Sequence, residues 1–147
     1  MNPNSVRSAI ITGLNARAAW NDLEDGDFFR YPAGDRAGRR GFELGAVEAG
    51  ESEDVTLAGT PHEVTYNLLG SIWVPMVGAK DDDFATAEAA AMALLKDFQA
   101  WLVAVDHGKS ISIATLDYLE LTDWKLGFTV EDPAAVIGFT LEVTEYL

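Results

Sequence analysis

Residues 83–108 read DFATAEAAAMALLKDFQAWLVAVDHG. Phe84, Ala87, Ala91, Leu94, Leu95, Phe98, Trp101, Leu102 and Val105 recur at the three-or-four spacing of one helical face, held for roughly six turns. Alanine, the best intrinsic helix former, fills most other places, so local preference and pattern agree. Asp83, with Asp82 before it, is placed to cap the first turn, where negative charge favours the helix dipole. Gly108 after His107 supplies a left-handed stop. Glu88, Lys96, Asp97 and Gln99 fall on the wet side.

Both flanks of this helix read as β-structure. Upstream, Phe42, Leu44 and Ala46 alternate with Glu43, followed by an acidic turn at Ala49–Asp54 and a hairpin return at Val55–Ala58. His62–Val77 carries Val64, Tyr66, Leu68, Ile72, Val74 and Met76 at one parity, which predicts a single strand bent at Gly70. Pro75 cannot donate to a ladder, so that end lies at a sheet edge or leaves the sheet. Downstream, Ser110–Ile113 alternates, Leu116–Leu121 runs extended, and Trp124, Leu126, Phe128 and Val130 alternate with Lys125, Thr129 and Glu131. Asp132-Pro133 marks a turn. Ile137, Phe139, Leu141 and Val143 then oppose Gly138, Thr140, Glu142 and Thr144, the cleanest strand pattern in the chain.

The first residues predict another helix over Ser5–Trp20, capped by Asn2 or Asn4 with Pro3 or Ser5 in its opening turn. Val6, Ile10, Leu14, Arg17 and Trp20 follow at helical spacing. Phe28–Tyr31 is a candidate short strand. The order helix, strands, long helix, strands predicts an α+β fold: one mostly antiparallel sheet with the long helix and the first helix packed on one face. The 147 residues are expected to form one domain, with flexible loops near 32–41 and 48–60.

Composition limits the function. The chain has no cysteine, which removes disulfides, thiolate metal sites and thiol nucleophiles together. No apolar run approaches membrane-spanning length and no secretory leader is evident, so no membrane partner and a cytosolic origin are expected. Net charge is −14 and uneven: residues 1–40 hold six Arg against five acids, whereas residues 41–147 hold four Lys against nineteen acids. Such acidity disfavours nucleic-acid binding but suits a wall past which DNA slides.

Chemical motifs are sparse. There is no G-x-S-x-G elbow, phosphate-binding P-loop or dinucleotide fingerprint. His62 and His107 stand apart with no H-x-H or H-E-x-x-H companion, and His62, Tyr66 and Asp117, the candidates for a polar pocket, form no recognised arrangement. Asp81-Asp82-Asp83 is explained by capping, and the run Asp22–Asp27 lacks the distal glutamate of a calcium loop. No catalytic residue, metal or cofactor is assigned, and the chain is not read as an enzyme. The segment PAGDRAGRRG at 32–41 reads either as a solvated loop or as a basic arm for an acidic neighbour or a phosphate backbone.

Taken in order, the helix Ser5–Trp20, the strand HEVTYNLLGSIWVPMVG, the acidic link AKDDD, the helix ATAEAAAMALLKDFQAWL and the last strand VIGFTLEVTEYL resemble the tail terminator (tail completion) proteins of long-tailed bacteriophages. That resemblance implies a virion protein assembled in the host bacterial cytoplasm. It would form a ring, typically of six copies, on the head-proximal end of the tail tube. Its partners would be itself, the major tail tube protein and the head connector, with DNA passing through the lumen. The basic loop and the acidic hairpin are not part of the resemblance; their opposite charge by itself suggests that Arg36, Arg39 and Arg40 of one copy meet Glu48, Glu51, Glu53 and Asp54 of the next. Other readings are a different neck, head-completion or minor tail protein, a generic acidic protein-binding domain, a small acidic enzyme, or a DNA mimic.

Overall fold

The computed structural model describes residues 2–20, 28–29, 40–49, 63–78, 80–131 and 133–146. Helix α1 (Pro3–Asn15) opens the chain and a 3-10 turn follows at Ala18–Trp20. Strands β1 (Phe28–Phe29), β2 (Gly41–Ala49) and β3 (Glu63–Pro75) precede helix α2 (Asp81–Ala104), and strands β4 (Leu116–Thr129) and β5 (Ala134–Tyr146) close the chain. The fold is α+β, as the sequence predicts. The sheet order is β1-β2-β3-β5-β4. β2, β3, β5 and β4 are antiparallel neighbours, and two-residue β1 pairs parallel to β2.

Helix α1 starts where its capping chemistry sits. The Asn2 side chain accepts from the Ser5 N–H at 3.2 Å and Pro3 opens the first turn. It ends earlier than the predicted Trp20, because the chain tightens into the 3-10 turn that buries Trp20. Helix α2 begins two residues before the predicted Asp83. Asp83 reaches back, accepting from the Lys80 N–H at 3.0 Å, and all three aspartates lie in the first turn where the dipole favours them. The buried face of α2 is Ala87, Ala91, Leu94, Leu95, Phe98, Trp101 and Leu102, as its spacing predicts.

The helix stops at Ala104, short of Gly108. Asp106, His107 and Gly108 all take positive φ (52°, 52° and 96°), and the chain knots into successive turns. The Gly108 N–H donates to the Val105 carbonyl at 3.1 Å, and the Leu119 N–H to the His107 carbonyl at 2.8 Å. Ser110–Ile113 is therefore not a strand. Its alternation places Ile111 and Ile113 against the core from turns rather than from a ladder.

β3 is one continuous strand across Gly70, paired with β5 from Glu63↔Tyr146 to Pro75↔Ala134. Pro75 ends an interior strand instead of sitting in an edge strand, so its missing N–H costs the ladder nothing beyond its last residue. β4 unites Leu116–Leu121 and Trp124–Thr129, with irregularities at Leu116/Tyr118 and Leu121/Asp123. The described antiparallel partner of β2 is β3, through Ala49↔Tyr66. The expected hairpin return at Val55–Ala58, and most of the loops at 32–41 and 48–60, lie outside the described residues.

Both helices cover one face of the sheet. Val6, Ile10 and Leu14 of α1 and the buried face of α2 meet Phe42, Leu44, Leu68, Ile72, Ile137, Phe139, Leu141 and Val143. Phe42 stands at the centre, 5.5 Å from Trp20, 5.5 Å from Phe98 and 5.6 Å from Phe139 between ring centroids.

Candidate functional site

Three polar groups, half-buried Asp97 and buried Arg7 and Glu145, fix the frame, and the sequence pattern announces none of them. Asp97 sits at a wet position of the α2 pattern, yet it accepts from Arg17 Nε at 2.8 Å, Arg17 Nη2 at 3.0 Å and Trp20 Nε1 at 2.8 Å. The Arg17 hydrogen bonds, helped by the Trp20 donor, hold its carboxyl below the usual range against the opposing effect of burial. Arg7 of α1 passes its Nη2 to the Gly45 carbonyl at 2.6 Å, where the β2–β3 register shifts between Leu44 and Val47.

The third is Glu145, fully buried on the core face of β5. It accepts from Tyr66 Oη, Thr115 Oγ1 and the Asn2 N–H, each at 2.7 Å. Burial pushes its carboxyl up, but these three donors outweigh it and hold the carboxyl below its ordinary value. Burial, then the bond to Glu145, pushes the Tyr66 phenol well up. This one carboxylate ties β3, β5, the β4 approach and the α1 N-terminus together.

These groups are structural, and the described members of the candidate set His62, Tyr66 and Asp117 have other roles. Tyr66 is committed to Glu145, Asp117 raises the pKa of the Tyr146 phenol, and His62 lies outside the described residues. His107 stacks on Tyr118 at 5.0 Å with its Nδ1 3.1 Å from the Leu119 carbonyl oxygen, a fixed packing role.

The helix-free face of the sheet is of another kind. Residues directly opposite in neighbouring strands share a face, so the registers Glu48↔Asn67, Asn67↔Glu142 and Glu142↔Glu120 define one row across β2, β3, β5 and β4. Three of its four members are glutamates. Two rows on, Glu43, Ser71, Gly138 and Lys125 line up, with Ser71 Oγ donating to Glu43 Oε1 at 3.0 Å. Asp123 and Thr140 lie between. With Gly138 lacking a side chain, Leu69, Asp123, Lys125 and Thr140 border an open depression of about 300 Å³. Like charges opposed across strands, as in Glu120 and Glu142, cost a free-standing sheet stability.

The described strands leave each lateral end of the sheet open. Among the described residues nothing pairs with the outer edge of β4, and β1 covers only Phe42 and Glu43 of β2. Trp124, Leu126 and Phe128 pair with Phe139, Ile137 and Ala135, which places them on the helix side. They overrun the helices there: Trp124 is 44% exposed, Phe128 62% and Val130 80%. The ring of Phe84 lies beside Phe128, edge-on at 5.1 Å. At the other end Val47 is 37% exposed, beside exposed Glu48. The spacing predicts an apolar face on β4 but does not tell that its second half lies uncovered.

Of the contact residues expected from sequence, Arg36, Arg39, Glu51, Glu53 and Asp54 lie outside the described residues. Arg40 is half-buried just before β2, and Glu48 is exposed within β2, not in a loop.

Among the described residues, no helix is long and apolar enough to cross a membrane. No family model matches the chain, and no curated protein matches it in sequence. Among solved structures, a chain from the virion of a native gene transfer agent (GTA) particle shares the fold. The TM-score is 0.68 over 97% of this chain and 95% of that one, at 17% identity.

Proposed function

We propose that this chain is a structural, non-catalytic virion protein of a phage-type particle. In this reading it is a tail terminator: a ring, six copies in the family it resembles, that ends the tail tube and meets the head connector. The observation that carries the proposal is the likeness, along nearly the whole of both chains, to a component of a virion. Two features support it. The described strands leave two lateral edges open, which a closed ring of copies would pair. Its helix-free face presents the Glu48–Asn67–Glu142–Glu120 row, a wall that repels DNA phosphates when turned to a lumen.

In this reading Arg36, Arg39 and Arg40 meet the acids Glu48, Glu51, Glu53 and Asp54 of the next copy. The test is sedimentation over a range of concentrations, alone and with purified tail tubes, followed by imaging of the tubes. A ring-sized species that caps one tube end supports the proposal. A chain that ignores tubes at every concentration removes it.

A further inference from the structure

We infer that the free edge of β4 in one copy adds to the free edge of β2 in a second copy, which extends one antiparallel sheet from subunit to subunit. The inference rests on the ring reading for its closure, but the contact itself stands on three observations about the described residues.

Strand direction is the first. Four antiparallel strands separate the two edges, so β2 and β4 run in opposite senses within the sheet. A second copy placed beside the first by a rotation that preserves sheet direction therefore brings its β2 antiparallel to β4. That arrangement satisfies the backbone groups that β4 leaves unpaired.

Matching faces come second. On the helix side, β4 offers exposed Trp124 and Phe128, with half-buried Leu126 between them, while β2 offers exposed Val47. When the strands pair, these side chains fall on one continuous apolar surface, and the aromatic rings cover Val47. Isolated exposed apolar residues are ordinary, but aromatics in a row along an open edge mark an interaction site.

Charge is the third. On the helix-free face, β4 carries Lys125 and β2 carries Glu48. Lys125 is the one base in the rows that cross all four strands, which otherwise hold Glu43, Glu48, Glu120 and Glu142. Setting Lys125 against the next copy's Glu48 places apolar residues on one side of the seam and an ion pair on the other. This fixes both the face and the partner edge. The contact is heterologous, so it closes into a ring if the rotation per copy allows and forms an open filament if not.

A charge exchange tests it. Lys125→Glu and Glu48→Lys each put like charges at the seam, and each is expected to weaken self-association about tenfold or more in sedimentation. Both positions are on the surface, and circular dichroism with urea unfolding verifies that each variant is folded. The double variant restores an opposite-charge pair and is expected to regain association. So is an equimolar mixture of the two single variants, because each then meets a complementary edge of the other. Trp124→Ser with Phe128→Ser is expected to abolish association without charge change.

Unchanged association of these folded variants overturns the inference and leaves the ring reading in place. A wild-type chain that never self-associates also overturns it. Conversely, an open dimer or filament that dissociates on charge reversal, and recovers in the mixture, upholds the edge contact while removing the terminator role.

Discussion

The Tyr66 hydroxyl donates to the Glu145 carboxylate at 2.7 Å, and both residues are shut off from solvent. Two further donors, Thr115 Oγ1 and the Asn2 N–H, complete the carboxylate's shell. A buried charge of this kind is tolerated only because it is saturated with donors. Glu145→Ala is expected to orphan all three and cost about 3 kcal/mol, and Tyr66→Phe, which removes a single donor, about 1–2 kcal/mol. Urea midpoints for the two single variants and the double variant check this. The double variant should fall short of the sum, since both substitutions break the same bond.

Asp97 is the corresponding tie on the other side of the core. It joins Arg17, after α1, to α2 through a two-nitrogen bond and also accepts from Trp20. Asp97→Ala is expected to cost about 1–3 kcal/mol. Arg17→Lys does not restore the geometry, because an ammonium lacks the planar fork, and should be less stable than wild type. Wild-type stability in Arg17→Lys would show that only the charge matters.

The same carboxyls make stability depend on pH. Both are held below their ordinary values of 3.8 for Asp97 and 4.5 for Glu145. As pH falls, the unfolded chain takes up these protons before the folded chain does. The stabilisation is therefore complete above about pH 5 and drains as pH drops through the ordinary values toward the lower folded ones. The gap in unfolding midpoint between wild type and Asp97→Asn should be widest near pH 7 and narrow below about pH 4. A gap that stays constant would show that the charge of Asp97 contributes nothing.

Gly13 inverts a common rule. Replacing a mid-helix glycine by alanine normally stabilises by about 1 kcal/mol. Here a Cβ on Gly13 would lie 2.5 Å from the Trp101 ring of α2. Gly13→Ala is thus expected to destabilise, by about 1–3 kcal/mol from overpacking, and Gly13→Ala with Trp101→Phe should recover part of the loss. Thermal unfolding of the two variants decides the sign.

Much of the fold was legible in the sequence because its signals are periodic. The spacing in 83–108 gives the buried face of α2, and the alternation in Ile137–Val143 gives the core face of β5. Asn2 and the run of aspartates mark the two helix starts. What periodicity cannot carry is a pairing distant in the chain. Asp97 reads as a surface residue, and Glu145 as one more acid near the end, until the fold brings Arg17 to one and Tyr66, Thr115 and Asn2 to the other. Ser110–Ile113 misleads for the opposite reason: two isoleucines anchor a knot of turns and imitate a strand.

The functional surface divides the same way. Composition alone gives an acidic chain without cysteine, and local pattern alone gives the strands and the order α, β, α, β. Only the tertiary structure decides that Glu48, Glu142 and Glu120 form one row, because a row is set by strand register rather than by sequence distance. Only it decides, too, that Trp124 and Phe128 stay exposed, because burial depends on how far the helices extend across the sheet. Local sequence fixes which face a residue occupies; packing fixes what covers that face.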